Sequence, residues 1–318
     1  MRRRGFIAIA IAMVAWQAQA QTLQRPFAGQ DITLVEPAGD GTVTQIIAAL
    51  LKPGLELALG ARVTIETVPS PEGTEAFEKV AAARADGRML LVMTDAARVF
   101  YEYLAASRTK LESMTPVAKL TDGISLTLAV HADSPIKDYA TLAAMLKANR
   151  ATSLALNGNA SPSGVLAAII EDNAGGRFRD RLFDTDFRID DALRARSAEV
   201  GVLPTPALFR PSGKPNELRA LLTSGARRHA RLPDAPTLVE VTGKTKLAFT
   251  VAVGLFAPPK LPPELVEALA SAARSAAQVP AVREGAQKAS IPLNVQNAVV
   301  LRDSMARAKR VIADLLNP

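Results

Sequence analysis

Short apolar runs bounded by turn residues, each followed by a longer stretch with apolar residues three and four apart, recur along most of this chain. Asp31-Ile-Thr-Leu-Val35 has the character of a buried strand, Pro37 to Gly41 that of a turn, and Thr42 to Leu59 the spacing of an amphipathic helix that Gly60 stops. Arg62 to Val68 is a second strand. The rhythm repeats with a helix over Thr74 to Ala85, a turn at Asp86-Gly87, a strand over Met89 to Met93, and a loop at Thr94-Asp95-Ala96 opening another helix. This alternation predicts an α/β fold with a parallel sheet covered by helices.

Met114 to Leu120 leads into a long apolar segment, Ile124 to His131, and a second cycle then begins near Ser134. It comprises a helix over Tyr139 to Asn149, a strand over Ser153 to Leu156, the loop Asn157 to Pro162, and a helix over Ser163 to Asn173. A loop carrying Asp184 and Asp186, a helix over Asp190 to Arg196 and strands at Glu199 to Leu203 and Leu218 to Ser224 complete it. Phe249 to Phe256 carries the chain onward, and the last sixty residues read as helical, from the turn Pro258 to Pro263 to a helix over Val299 to Leu316. If the chain leaves one lobe by Ile124 to His131 and returns by Phe249 to Phe256, two connecting strands join two lobes and make a hinge. The division expected is 21–127 with 250–318 for domain I, and 128–249 for domain II.

The first twenty residues stand apart from this pattern. Arg2, Arg3 and Arg4 precede an apolar run from Gly5 to Trp16, and Ala18-Gln19-Ala20 supplies small residues for cleavage. The run is too short to span a bilayer and is followed by polar residues, so 1–20 reads as a signal peptide, with the mature chain beginning at Gln21 in the periplasm. Arg3 to Ile7 resembles a twin-arginine signal as well, so the export route stays open.

Losing the three leader arginines takes the 38 basic residues to 35 against 31 acids, a formal charge of about +4. These charges are interspersed rather than striped and only three tyrosines are present, which argues against nucleic acid as a partner. With no cysteine there is no disulfide, thiolate nucleophile or sulfur-ligated zinc, and His131 and His229 lie far apart without a ligand pattern. No metal or cofactor is expected.

Ligands of open α/β sheets bind beyond the carboxyl ends of the strands, where loops enter helix N-termini. Those loops are Pro37 to Thr42, Thr94 to Ala97, Asn157 to Ser163 and Phe187 to Asp191, two in each expected lobe. Free N–H groups and the helix dipole there favour a carboxylate. The same Asp, Asn, Ser, Thr and Gly residues also serve as caps and turn formers without any ligand.

Enzyme signatures are fragmentary. Gly39-Asp-Gly41-Thr-Val-Thr44, with Glu66 ending the next strand, imitates a dinucleotide fingerprint but lacks the third glycine. Ser134-Pro-Ile-Lys137 matches Ser-x-x-Lys, yet Lys244-Thr245 is followed by Lys246 rather than the glycine of its companion motif. No catalytic residue is assigned, and an exported hydrolase on this scaffold is the rival reading.

Several segments, in order along nearly all of the mature chain, resemble the substrate-binding proteins of tripartite tricarboxylate transporters, the Bug-type receptors. They are Glu217 to Glu240 with its Leu232-Pro-Asp-Ala-Pro-Thr237 run, Ala85 to Thr94, Thr115 to Leu120, and Val253 to Pro258. The resemblance implies a two-lobe periplasmic binding protein of the Venus-flytrap, type II-like kind. It also implies a small organic ligand, such as a carboxylate or amino acid, and an inner-membrane permease or a sensor protein as partner. By position it assigns the ligand to Gly39, Asp40, Gly41 and Thr42, to Thr94 and Asp95, and to Asn157, Gly158, Asn159 and Ser161. The chain departs from the family at Gly39 to Thr44, where an acid replaces a glycine, and at Phe187 to Asp190. Asp40 and Asp95 are expected either to turn outward as caps or to meet an amine-bearing or neutral ligand.

Overall fold

The computed structural model describes residues 26–39, 42–70, 73–96, 99, 102, 110–159, 161–183, 185–209 and 217–316; residues 1–25, 40 and 41 lie outside them. Two sheets form. The first contains β1 (Asp31–Glu36), β2 (Arg62–Thr67), β3 (Met89–Thr94), β4 (Thr115–Thr121), β10 (Val253–Ala257) and β11 (Leu293–Asn297), in the order β11-β4-β10-β3-β1-β2. The second contains β5 (Leu126–His131), β6 (Ser153–Leu156), β7 (Arg179–Leu182), β8 (Val200–Pro204) and β9 (Leu218–Thr223), in the order β7-β6-β8-β5-β9. In each sheet the strand that has just crossed from the other runs antiparallel between parallel neighbours: β10 between β3 and β4, β5 between β8 and β9.

Central strands such as Met89-Leu-Leu-Val-Met-Thr94 are apolar up to their last residue because helices bury both their faces. The edge strands do not follow that rule. Arg179-Asp-Arg-Leu182 is exposed along its length and Leu293-Asn-Val-Gln-Asn297 is only partly buried. Charged and polar side chains suit an edge, where they discourage pairing with other chains, and they erase the apolar signal of a strand. The sequence pattern therefore passes over β7 and reads the β11 region as part of a helical tail; the structure corrects both.

The helices are α1 (Val43–Leu59), α2 (Thr74–Ala81), α3 (Tyr139–Lys147), α4 (Pro162–Ala174), α5 (Asp186–Arg194), α6 (Leu238–Thr242), α7 (Pro263–Gln278), α8 (Pro280–Lys288) and α9 (Ala298–Leu316). Thr42 caps α1 and Gly60 ends it in the left-handed conformation at φ 64°. Residue 54 must be glycine because a Cβ there would stand 2.6 Å from Ala276 Cα, so α1 and α7 meet backbone to backbone on the first sheet. Helix α5 begins four residues earlier than its pattern suggests, so Phe187 to Asp191 lie within a helix rather than in a loop. Its first turn, Asp186-Phe-Arg188, is half-buried to exposed, so the apolar face of the helix shows only from Ile189 onward.

The chain crosses between sheets at residues 122–125 and 248–252. The crossings pair with each other: Ile124 N–H donates to Val251 O at 2.7 Å and Val251 N–H returns to Ile124 O at 2.9 Å. Ser224 stitches them to the second sheet. Its hydroxyl accepts from Leu126 N at 2.9 Å and donates to Phe249 O at 2.8 Å, and its backbone pairs with both residues. One apolar cluster runs through both sheets, with a small satellite around Ile189, Leu193 and Leu203 beneath α5.

Candidate functional site

Register alone puts the candidate loops in one place. Thr94 at the end of β3 pairs with Val253 at the start of β10, and Pro204 at the end of β8 pairs with Leu126 at the start of β5. Because β1 runs parallel to β3 and β6 parallel to β8, the carboxyl ends of both parallel sets face the crossings. In open α/β sheets ligands bind beyond such ends, which makes the space between the two edges the candidate cleft.

On the first sheet, Glu36 organises the loop after β1. Its carboxylate is fully buried and accepts from Ala38 N at 3.0 Å, from Gly39 N at 2.9 Å, from Thr44 Oγ1 at 3.3 Å and from Thr67 Oγ1 at 2.5 Å. Acceptance from two successive N–H groups bends the chain back on itself, and Gly39 takes the left-handed backbone, φ 85°, that the bend requires. Thr42 closes the turn, its hydroxyl donating to Gly39 O at 2.8 Å and accepting from Gln45 N at 3.3 Å. Asp40 and Gly41, also assigned to this loop, lie outside the described residues.

Thr94, the last residue of β3, is half-buried, whereas Asp95 is 1% exposed. The Asp95 carboxylate accepts from Ala252 N at 2.8 Å while Asp95 N donates to Ala252 O at 2.8 Å, tying β3 to the second crossing. Burial raises its pKa, against hydrogen bonds from Ser304 and from the Ala252 and Ala96 N–H groups and the charge of Lys119.

On the second sheet, the loop after β6 is a web of hydroxyls. Ser161 donates to Gly158 O at 2.6 Å, caps α4 by accepting from Gly164 N at 3.3 Å, and lies 2.7 Å from Ser163, whose hydroxyl accepts from Asn157 N at 3.2 Å. Gly164 permits this closeness, since a Cβ there would stand 2.4 Å from Asn159 O. Gly158 is buried, Asn157 half-buried and Asn159 exposed. Beside them at the start of α5, Asp186 is hydrogen-bonded by the Asn157 side chain. It stays partly accessible but is ringed by protein, and that desolvation pushes its carboxyl up to about 6, against the Asn157 bond. At the end of β8, Thr205 joins Ser125 and Thr127 in a hydroxyl cluster at 2.7 and 2.8 Å.

The structure thus brings Gly39, Thr42, Thr94 and Asp95 to the carboxyl edge of the parallel strands of the first sheet, and Asn157, Gly158, Asn159 and Ser161 to that of the second. Sequence reasoning missed Glu36 and the Thr205 cluster, and passed over Asp186. An acid ending the otherwise apolar run Ile32 to Val35 was a usable signal for Glu36. Nothing in the sequence marked Asp186 as desolvated.

Residues 47–316 match the family described as the tripartite tricarboxylate transporter family receptor. The chain belongs to that family. A UPF0065 protein of Bordetella pertussis is 27% identical over 98% of this chain and 96% of its own length, and one of Cupriavidus necator is 29% identical over 91% and 89%. Two solved structures share the fold of this tripartite tricarboxylate transporter receptor. The periplasmic binding protein BugD superposes with TM-score 0.81 at 20% identity over 92% of this chain and 98% of its own. MatC from Rhodopseudomonas palustris, solved with bound malate, gives 0.79 at 21% over 89% and 99%. The two-lobe binding-protein architecture expected from the sequence is therefore the architecture of this receptor. No helix among the described residues is long and apolar enough to cross a membrane.

Proposed function

We propose that the protein is a periplasmic receptor, exported by its leader, that captures a small carboxylate-bearing ligand between its lobes and presents it to a tripartite tricarboxylate-type permease. The observation that carries this reading is the convergence of capped helix starts from both sheets on one cleft, with Thr42 at α1 and Ser161 at α4. Such termini offer N–H groups and positive dipole ends to an anion. Malate in MatC and adipate in a second Rhodopseudomonas palustris protein of TM-score 0.77 and 17% identity support a carboxylate ligand. In this reading Gly39 to Thr42 and Asn157 to Ser161 hold the ligand from opposite walls, while Asp95 serves as the tie to the hinge. The lobes turn about the paired crossings, and closure follows from tighter binding in the closed state. The cleft performs no chemistry.

Asp186 refines the ligand. A carboxyl on the cleft wall, with Asn157 as its partner, favours a molecule that carries a hydroxyl or amine donor besides its carboxylate. Thermal unfolding of the mature protein against plain dicarboxylates, hydroxy acids and amino acids tests this. A ligand at a hundred times its Kd adds about 2.7 kcal/mol of stability. Shifts with hydroxy or amino acids and stoichiometric binding without product support the reading; steady turnover, or no shift from any carboxylate, overturns it.

A further inference from the structure

A second pocket, of about 280 Å³, lies beside the crossings and under α9, lined by Lys119, Gly123, Phe249, Thr250, Ser304 and Arg307 among others. None of the cleft-loop residues borders it. Its deepest polar group is Lys119, on β4, which is 7% exposed. The ammonium carries three donors, yet its hydrogen bond is a long one, 3.5 Å to Gln296 Oε1. Asp95 attracts it through space without a hydrogen bond between them, its carboxylate being bonded by Ala252 N and by the Ser304 side chain. A buried cation with donors to spare is an unfavourable arrangement unless something accepts from it. At the mouth, Arg307 on α9 is exposed and adds a planar fork of donors, and Thr250 adds a hydroxyl.

We propose that this hinge pocket binds a small oxyanion, held by Lys119 from within and by Arg307 from the mouth. The volume is below that of pockets that enclose drug-sized ligands and suits an ion of inorganic phosphate size with its waters. Gly123 and Thr250 belong to the two crossings, so an ion here contacts both strands about which the lobes turn. The site is separate from the cleft and takes its ion whether or not the cleft is filled.

Titration calorimetry of the mature protein with inorganic phosphate, against chloride at matched ionic strength, tests the site. Arg307→Gln changes an exposed residue, and Asn157→Ala alters the cleft instead. The expected result is one phosphate site in wild type and in Asn157→Ala, with binding weakened about tenfold in Arg307→Gln by loss of a charge-assisted bond. Heat from chloride equal to that from phosphate, unchanged binding in Arg307→Gln, or loss of binding in Asn157→Ala would each overturn the proposal. The last outcome would move the phosphate to the cleft.

Discussion

Glu36 stands where an apolar strand ends, and four donors, from the following turn, from the start of α1 and from β2, keep it there. Glu36→Ala should lower the unfolding free energy by about 3 kcal/mol in a urea titration, because hydrogen bonds to a buried charge contribute more than neutral ones. It should also loosen the first wall of the cleft, so ligand affinity should fall with it. Asp186 makes a prediction of opposite sign. Its folded pKa of about 6 lies above the unfolded value near 3.8, so the native state holds the extra proton between those values. Stability from this group is complete below about pH 4 and is lost as pH rises to about 6, amounting to about 3 kcal/mol at most. The difference in unfolding free energy between wild type and Asp186→Asn, measured at pH 4 and pH 7.5, should change by that order. An unchanged difference would show that Asp186 is well solvated. At this scale the sequence displayed which residues stand at strand ends. It hid where their side chains are spent: Asp95 looks like a free acid in a loop, and only the return of Ala252 across the sheet shows it to be a tie.

Among the elements, helix α4 sets propensity against packing. Glycine to alanine inside a helix normally stabilises by about 0.5–1 kcal/mol. At residue 164 the added methyl would press on the carbonyls of Gly158 and Asn159. Gly164→Ala should therefore keep its helical circular dichroism yet displace the 157–161 loop, weakening ligand binding tenfold or more as an order-of-magnitude expectation. Ser224→Ala should cost about 2 kcal/mol in thermal unfolding, since it leaves the Leu126 N–H and Phe249 O without their shared partner in a buried place. The start of α1 and the central strands were legible because capping and two-faced burial act through neighbouring residues, as at Thr42 and Met89 to Met93, whereas the start of α5 was not. The edges were not, because β7 and β11 are strands by virtue of their neighbours β6 and β4, with almost no apolar pattern of their own.

For the molecule as a whole, two apolar connecting segments in the sequence were enough to suggest two lobes, and the paired crossings at Ile124 and Val251 show how they are joined. The sole tryptophan is Trp16, within the proposed leader, so a chain beginning at Gln21 offers a clean background for a reporter. Phe187, 39% exposed, is the second residue of α5 and in the proposed reading stands at the rim of the second wall. Phe187→Trp should show a blue-shifted emission when ligand closes the cleft and no shift in the Gly164→Ala background; an emission insensitive to saturating ligand would mean the rim does not move.

The position of β10 also bears on how the chain acquires its shape. Among the described residues strand β4 has neighbours only in β10 and β11, both of which come after the whole second sheet. The second sheet, in contrast, is made from one uninterrupted stretch. A chain released N-terminus first can complete β5 to β9 while β3 and β4 still wait, apart, for Val253 to Ala257 to be inserted between them. Pairings that distant in sequence form slowly and leave strand edges open meanwhile. The lobe that starts the polypeptide is therefore the last to be finished.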